Sequence, residues 1–397
     1  MFISPPTSAA EGGSWVGKQI MVKKANTKIG RNDVDGHEVT VGTLEELVYT
    51  VLKEDGPRIQ VKQSAVVGWI ARDDAVLLND AVSYFTKEIR TNPRDARAYA
   101  YRGWATKEKG DLKLAIEDMS EAIRLEPKVA AWYDYRGVIH TAKKDYDQAI
   151  ADYTEAIRLD AKNAKAYRHR GLAYRHKEDY ERAIADYAEA IRLDPNDAKA
   201  YSNRGTAYDI KGEHDRAIAD YTENIRLDPK DAKAYYNRGL AYQNKKDYES
   251  AIAEYTEAIR LDPKLIWSYT NRGNAYLHKN DYDRVIADYS EAIRIDPNYA
   301  NGYRSLAWLL ATARDERMRN GKKAVEYART ACELTGWKKP DILETLAAAC
   351  AEARDFKEAV KWQKKALESA DYDERYREFG RFCLKLYEAG KTFRDEP

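Results

Sequence analysis

A 34-residue period constrains this 397-residue chain more than any other feature. The stretch Ala232 to Leu265, AKAYYNRGLAYQNKKDYESAIAEYTEAIRLDPKL, has near-copies on both sides, and units without gaps begin at Ala96, Ala130, Ala164, Ala198, Ala232 and Ile266. A fixed period means that each copy is one structural unit whose apolar face is covered by the next copy. At 100° per residue, Tyr235, Gly239 and Tyr242 share one side of a first helix, and Ile252, Tyr255 and Ile259 form a stripe on a second. Gly239 and Ala251 are small where the two helices cross. Asp247 is placed to cap the second helix, and Pro263 disfavours helix at Asp262 and so ends the unit.

The skeleton Tyr235-x2-Arg238-Gly239-x2-Tyr242, then Ala251-x3-Tyr255, then Pro263, resembles the tetratricopeptide repeat, with Arg238 where that pattern has leucine. The resemblance implies a right-handed all-α solenoid whose first helices line a concave face, and an interaction scaffold rather than an enzyme. Six regular repeats are expected over 96–299. Two divergent ones follow over 300–370, with extra residues around Arg314 to Lys322. Residues 79–95 read as a linking helix, half a repeat, and 371–397 as a capping helix with a loose tail after Gly390.

Ahead of the repeats the pattern changes. Residues 1–14 have the Pro/Ser/Gly composition of a flexible segment. Over 15–78, alternating runs at Gln19–Lys23, Glu38–Val41, Leu47–Lys53, Arg58–Lys62 and Val66–Ala71 predict a small five-stranded β-barrel, making the chain α+β overall. With Gly68-Trp69-Ile70 near its end, this part resembles bacterial Src-homology-3-like domains placed before tetratricopeptide repeats. Such domains bind peptides, including cell-envelope peptides, through aromatic grooves. Arg58 stands where a groove tryptophan is often found, so the expected role is a cap on the solenoid, with Trp15 and Trp69 in its core.

Lysine and arginine nearly cancel aspartate and glutamate, leaving a net charge of +1 and no general attraction to nucleic acid or anionic lipid. Cys332, Cys350 and Cys383 are odd in number and lack metal-ligand spacing, which suits buried thiols. No apolar run is long enough for a membrane span, and the start lacks a secretory pattern. Cytoplasm is the expected compartment, or periplasm or cell envelope for a processed N-terminus. No nucleophile elbow, phosphate loop or metal motif is present, and no cofactor is expected. His169 and His176 are two helical turns, about 10 Å, apart and cannot share a metal by themselves.

One column of the alignment of copies is charged. Arg102, Arg136, Arg170, Arg204, Arg238 and Arg272 hold the seventh position, and Asp118, Asp152, Asp186, Asp220, Glu254 and Asp288 follow sixteen residues later. Both members become apolar together in the divergent repeats, as Leu306 with Tyr327 and Leu346 with Trp362. Change in concert suggests contact, and a structural role in setting how repeats stack.

A ligand belongs on the opposite stripe, at the second, sixth, ninth and thirteenth positions. Lys165, Lys199 and Lys233 hold the second position and Trp267 takes it next. Asn203, Asn237 and Asn271 hold the sixth, preceded by His169. An amide donates and accepts together, which suits the backbone of an extended peptide, as in the asparagine ladders of some tetratricopeptide superhelices. The lysines favour acidic side chains, and Tyr236 or Trp267 can anchor an apolar one. Tyr101, Trp104, Tyr135 and Val138 make the same stripe apolar in the early repeats, which suits receipt of the barrel or linker. The expected function is a non-enzymatic adaptor for an extended protein or peptide segment. RNA association through helical repeats, and cell-envelope peptide binding by the barrel, are the alternatives.

Overall fold

Four runs of the N-terminal part form paired strands as the alternation requires, and one changes partner midway. The structure, a computed structural model, describes residues 14–23, 28–32, 38–43, 48–63 and 66–394. The expected flexible segment therefore lies, Ser14 apart, outside the described residues. Eight strands are described: β1 (Gln19–Val22), β2 (Lys28–Asn32), β3 (Glu38–Thr43), β4 (Val48–Thr50), β5 (Lys53–Asp55), β6 (Arg58–Gln63), β7 (Val66–Ala71) and β8 (Ala75–Leu77). They form two antiparallel sheets, β4-β1-β8 and β3-β2-β7-β6-β5, in place of the single five-stranded barrel expected.

The reason lies in the run Leu47–Lys53. Val51 N–H donates to Lys18 in line with the first sheet, and Leu52 N–H to Gln60 of the second. One alternating run thus supplies a strand to each sheet. β2, rich in Lys, Gly, Arg and Asn, and the three-residue β8 carry too little apolar pattern to be read in advance. Trp15 and Trp69 are half-buried, beneath the guanidiniums of Arg72 at 4.3 Å and Arg58 at 5.6 Å, rather than in the core. Ile20, Met21, Val51, Ile59 and Val61 form that core, continuous with Ala81 and Phe85 of the helix that follows.

The helices begin with α1 (Leu78–Thr91), then come in pairs: α2 (Ala96–Glu108) with α3 (Leu112–Leu125), α4 (Ala130–Ala142) with α5 (Tyr146–Leu159), and α6 (Ala164–His176) with α7 (Tyr180–Leu193). These and the sheets make up one compact unit, Met1–Pro195. The second unit, Asn196–Pro397, holds α8 (Ala198–Ile210) with α9 (His214–Leu227), α10 (Ala232–Asn244) with α11 (Tyr248–Leu261), α12 (Ile266–His278) with α13 (Tyr282–Ile295), α14 (Ala300–Thr312) with α15 (Gly321–Leu334), α16 (Pro340–Glu352) with α17 (Phe356–Leu367), and α18 (Arg377–Glu388).

Local chemistry explains the pairs. The Asp247 side chain accepts from Ser250 N–H at 3.1 Å and opens α11, and Asp262 leaves the helix in extended conformation before Pro263. Between the helices the chain turns through a left-handed residue, which is Gly110 or Gly212 in two repeats but Lys144, Glu178, Lys246 or Asn280 in the others. Within the five pairs from α4–α5 to α12–α13, the glycine at the eighth position admits a tyrosine ring. A Cβ on Gly239 would stand 2.7 Å from Tyr255 Cε1, and one on Gly171 2.8 Å from Tyr187 Cε1. Tyr153, Tyr187, Tyr221, Tyr255 and Tyr289 are consequently among the most deeply buried side chains.

The last repeats close differently. Leu306, Leu346, Trp362, Cys332, Cys350, Cys383 and Tyr387 belong to one extended apolar cluster. Burial pushes the Cys332 thiol up to about 12 and Cys350 to about 11, so both stay protonated and unreactive. The tail is not loose where it is described. Gly390, at φ +66°, turns it back, Gly390 N–H donating to Tyr387 and Lys391 N–H to Leu386, and Phe393 packs against Trp308 and Phe379.

Candidate functional site

Each regular repeat has a charged side and a polar side, and they differ in how many of their groups are already engaged. On the charged side, Arg102 Nε and Nη2 donate to Asp118 at 2.9 and 2.6 Å. Arg136 grips Asp152 at 2.9 and 2.6 Å and Arg170 grips Asp186 at 2.8 and 2.7 Å. In the second unit Arg204 holds Asp220, and Arg272 holds Asp288, each at 2.9 and 2.7 Å. Arg238 faces a glutamate instead. The added methylene brings both Glu254 oxygens onto Nη2, at 2.8 and 3.0 Å, and leaves Nε buried without a partner.

These forks join the two helices of one repeat. A tyrosine three residues before each arginine lies 5.6 to 5.8 Å from the guanidinium carbon. The remaining nitrogen, Nη1, reaches back one helix. It donates to Thr86 at 3.4 Å, Ser120 and Thr154 at 3.1 Å, and Thr222 and Thr256 at 3.0 Å. This third contact escaped the sequence reading, although a hydroxyl stands sixteen residues before five of the six arginines. Ala188 holds that position before Arg204.

Burial pushes the Asp118, Asp220 and Glu254 carboxyls above their ordinary range, with the arginine hydrogen bonds pulling the other way. Desolvation outweighs pairing at the acid. Arg102 and Arg204 move upward too, because the bond to the acid favours the charged guanidinium. A buried ion pair of this kind adds little net stability, because desolvation offsets the attraction.

The polar side lies on the first helices. In the second unit, Lys199 and Lys233 are exposed, and neither ammonium has a hydrogen bond or ion pair among the described residues. Asn203 and Asn237 are half-buried and their amides also lack side-chain hydrogen bonds there. Trp267 is 56% exposed, and Ile210, at the thirteenth position of α8, is 55% exposed on the same stripe. The sequence reading passed over Ile210, although its position in the column was the signal.

Two members of the expected series are engaged instead. Asn271 Nδ2 donates to the Tyr236 hydroxyl at 3.0 Å, and Tyr236 lies against Tyr255, 5.9 Å between centroids. The fifth position of one repeat thus reaches the sixth of the next. In the first unit the same offset joins Asp134 to His169 Nδ1 at 2.9 Å. His176 stacks on Tyr146 at 4.9 Å, so the two histidines serve separate contacts. Lys165 is exposed on α6. Among the early aromatic residues, Tyr101 is buried against Phe85 of α1 at 5.5 Å, and Trp104 lies 5.2 Å from Tyr135. Burial raises the Tyr135 hydroxyl to about 12, which keeps it neutral.

Among the described residues no cluster of three or more histidine, cysteine or acidic side chains is arranged to hold a metal ion, and no helix is long and apolar enough to cross a membrane.

Comparison with known proteins agrees with this geometry. A TPR repeat model matches residues 137–177, 171–209 and 210–246, and a tetratricopeptide repeat model matches residues 232–265 and 266–299. A further tetratricopeptide repeat model matches residues 78–130, which takes in α1 with the first pair. Among solved structures, YrrB, described as a TPR protein with an unusual peptide-binding site, shares 26% identity over 46% of this chain and 95% of its own, with a TM-score of 0.40. MamA shares 28% identity over 42% of this chain and 96% of its own, TM-score 0.40. The C-terminal part of a TPR repeat-containing protein from Cytophaga hutchinsonii shares 21% over 58% and 94%, TM-score 0.48. No curated protein matches the chain.

Proposed function

Because the chain belongs to the tetratricopeptide-repeat family, whose fold generally mediates protein–protein interaction, we propose that it is a non-enzymatic scaffold holding an extended, acidic segment of a partner on the first helices α8, α10 and α12. The observation that carries this reading is the free chemistry repeated at equivalent positions. Lys199 and Lys233 offer unpaired ammonium groups, and Asn203 and Asn237 offer unpaired amides one helical turn further on. An amide that both donates and accepts matches a peptide backbone, and the lysines select acidic side chains mainly through encounter rate and specificity. Trp267 and Ile210 supply apolar anchors at the ends of the stripe.

Asn271 and Tyr236, tied to each other, position the stripe rather than bind the ligand. The arginine–acid pairs are assigned to the other task of setting the register of the stack, because five of the six arginines touch their own second helix and the preceding one together.

The test compares proteins captured by the wild-type chain with those captured by Lys199→Glu/Lys233→Glu and Asn203→Ala/Asn237→Ala, each after nuclease treatment. Loss of the same partners from both variants, with Asn271→Ala retaining more of them, is the expected result. Identical partner sets in all variants would overturn the site, and partners lost on nuclease treatment alone would favour association through RNA.

A further inference from the structure

The chain already holds one non-helical segment against a first helix, and it is its own. After α18 the turn at Gly390 sends the tail back across α14 and α16. Phe393 sits with its ring 5.9 Å from Trp308, at the ninth position of α14, and 5.1 Å from Phe379 of α18 in an edge-to-face arrangement. Arg394 Nη1 donates to the carbonyls of Ala311, at 3.3 Å, and of Phe393, at 2.9 Å. Its Nη2 lies 2.8 Å from Glu352 Oε2 at the end of α16. Ala311 belongs to the last turn of α14, where carbonyls lack intrahelical partners and the helix dipole favours a cation.

We propose that Trp308, Phe379 and Glu352 form a second binding site, for an extended segment of a partner in which arginine follows an aromatic residue, and that Phe393-Arg394 occupies it in cis as an internal competitor. Two observations separate this site from a simple structural latch. First, the tail beyond Lys391 meets α14, α16 and α18 through the side chains of Phe393 and Arg394. Second, the carboxylate of the site has a partner that does not come from the tail. Glu352 has another guanidinium, that of Arg319, whose Nε donates to Oε1 at 3.1 Å and whose Nη1 is fixed by the carbonyls of Ala313 and Arg314 at 3.2 and 3.0 Å. Release of the tail therefore leaves no unpaired buried charge, only an aromatic shelf beside a carboxylate. The ligand preference is opposite to that of Lys199 and Lys233, so the two sites take different partners or different parts of one.

A tethered segment competes at high effective concentration, so the untethered site must be compared with the occupied one. The probe is an amidated peptide of residues 390–394, GKTFR, which omits the acidic residues that follow. Its binding is read by ligand-observed NMR against the full chain and against full-length Phe393→Ala/Arg394→Ala. The unlatched variant is expected to bind at least about tenfold more tightly than wild type. Adding Glu352→Gln should weaken that binding, and adding Lys199→Glu/Lys233→Glu should leave it unchanged. If the double variant melts with a broadened transition, Arg394→Gln alone serves, with a smaller gain in the same direction. Equal binding to latched and unlatched chains, or no saturable binding to either, overturns the proposal.

Discussion

At the seventh position of α8 a guanidinium grips Asp220, while at the corresponding position of α16 Leu346 is fully buried in the same apolar cluster as Trp362. Both solutions fill the same space between two helices. In the middle regular repeats, apolar packing comes in small separate groups, such as Ala217 and Tyr221 with Ala241, and polar contacts join one repeat to the next. In the last two repeats the packing is continuous and reaches the capping helix. The difference teaches what the charged pair is for. Burying an ion pair adds little net stability, but its geometry is directional, and the third nitrogen of arginine makes it sensitive to the neighbouring repeat. A terminal repeat has fewer neighbours to align and must resist fraying, so apolar packing suits it.

The comparison breaks most sharply where charge enters the apolar end. Leu346→Arg buries a guanidinium with no acid at the partner position, and the second unit should lose more than about 4 kcal/mol or fail to fold, as read by denaturant unfolding. Next is the removal of one partner in a regular repeat. Asp220→Ala strands Arg204, whose side chain is 20% exposed, and should cost about 3 kcal/mol. Converting both positions to the pair of the seventh repeat, Leu306 with Tyr327, as Arg204→Leu/Asp220→Tyr, should recover most of that loss. A double variant as unstable as Asp220→Ala would show that the two residues do not act as a pair.

A smaller effect isolates the third contact. Thr222→Ala removes the hydroxyl 3.0 Å from Arg238 Nη1 and should cost about 1 kcal/mol. Hydrogen exchange should show the added opening at α9 and α10 rather than within the α10–α11 pair.

The smallest effect distinguishes buried from surface pairs by the sign of its pH dependence. The Arg260 fork holds the Glu257 carboxyl below its ordinary range. A depressed folded-state value contributes stability above the unfolded value that is lost as pH falls through the folded one. The advantage of wild type over Glu257→Gln in thermal melts should therefore be full at neutral pH and shrink as pH falls below the ordinary glutamate range. Asp220 shifts the other way, because burial raises it. The penalty for ionising it is present at neutral pH and is relieved as pH falls through the folded value, so wild type should gain on Asp220→Asn over the same range.

Much of this was legible in the sequence because a repeat compares itself with its own copies. The period marked Ala232 and Ile266 as starting points, and helices begin at both. The joint change of Leu346 and Trp362 pointed to a contact that no single copy would reveal. What stayed hidden lacked a period or fell one position off the column. Thr222 and Thr256 look like ordinary solvated residues until an arginine from the next repeat is placed over them. Asn271 looked as available as Asn203 because Tyr236, on the neighbouring helix, was assigned to the ligand rather than to the amide. Val51 and Leu52 continue one alternating run while donating to different sheets. Phe393 and Arg394 are two residues without pattern, and only the turn at Gly390 gives them a destination.

The division between an engaged charged side and a free polar side is tested most directly by photocrosslinking from two exposed positions of neighbouring repeats. A benzophenone amino acid at Trp267, on the proposed stripe, should form adducts with partner proteins, and the adducts should disappear in the Lys199→Glu/Lys233→Glu background. The same group at Arg260, on the second helix α11, should form few. Adducts from Arg260 but not Trp267, or adducts from Trp267 that survive reversal of both lysines, would contradict the account.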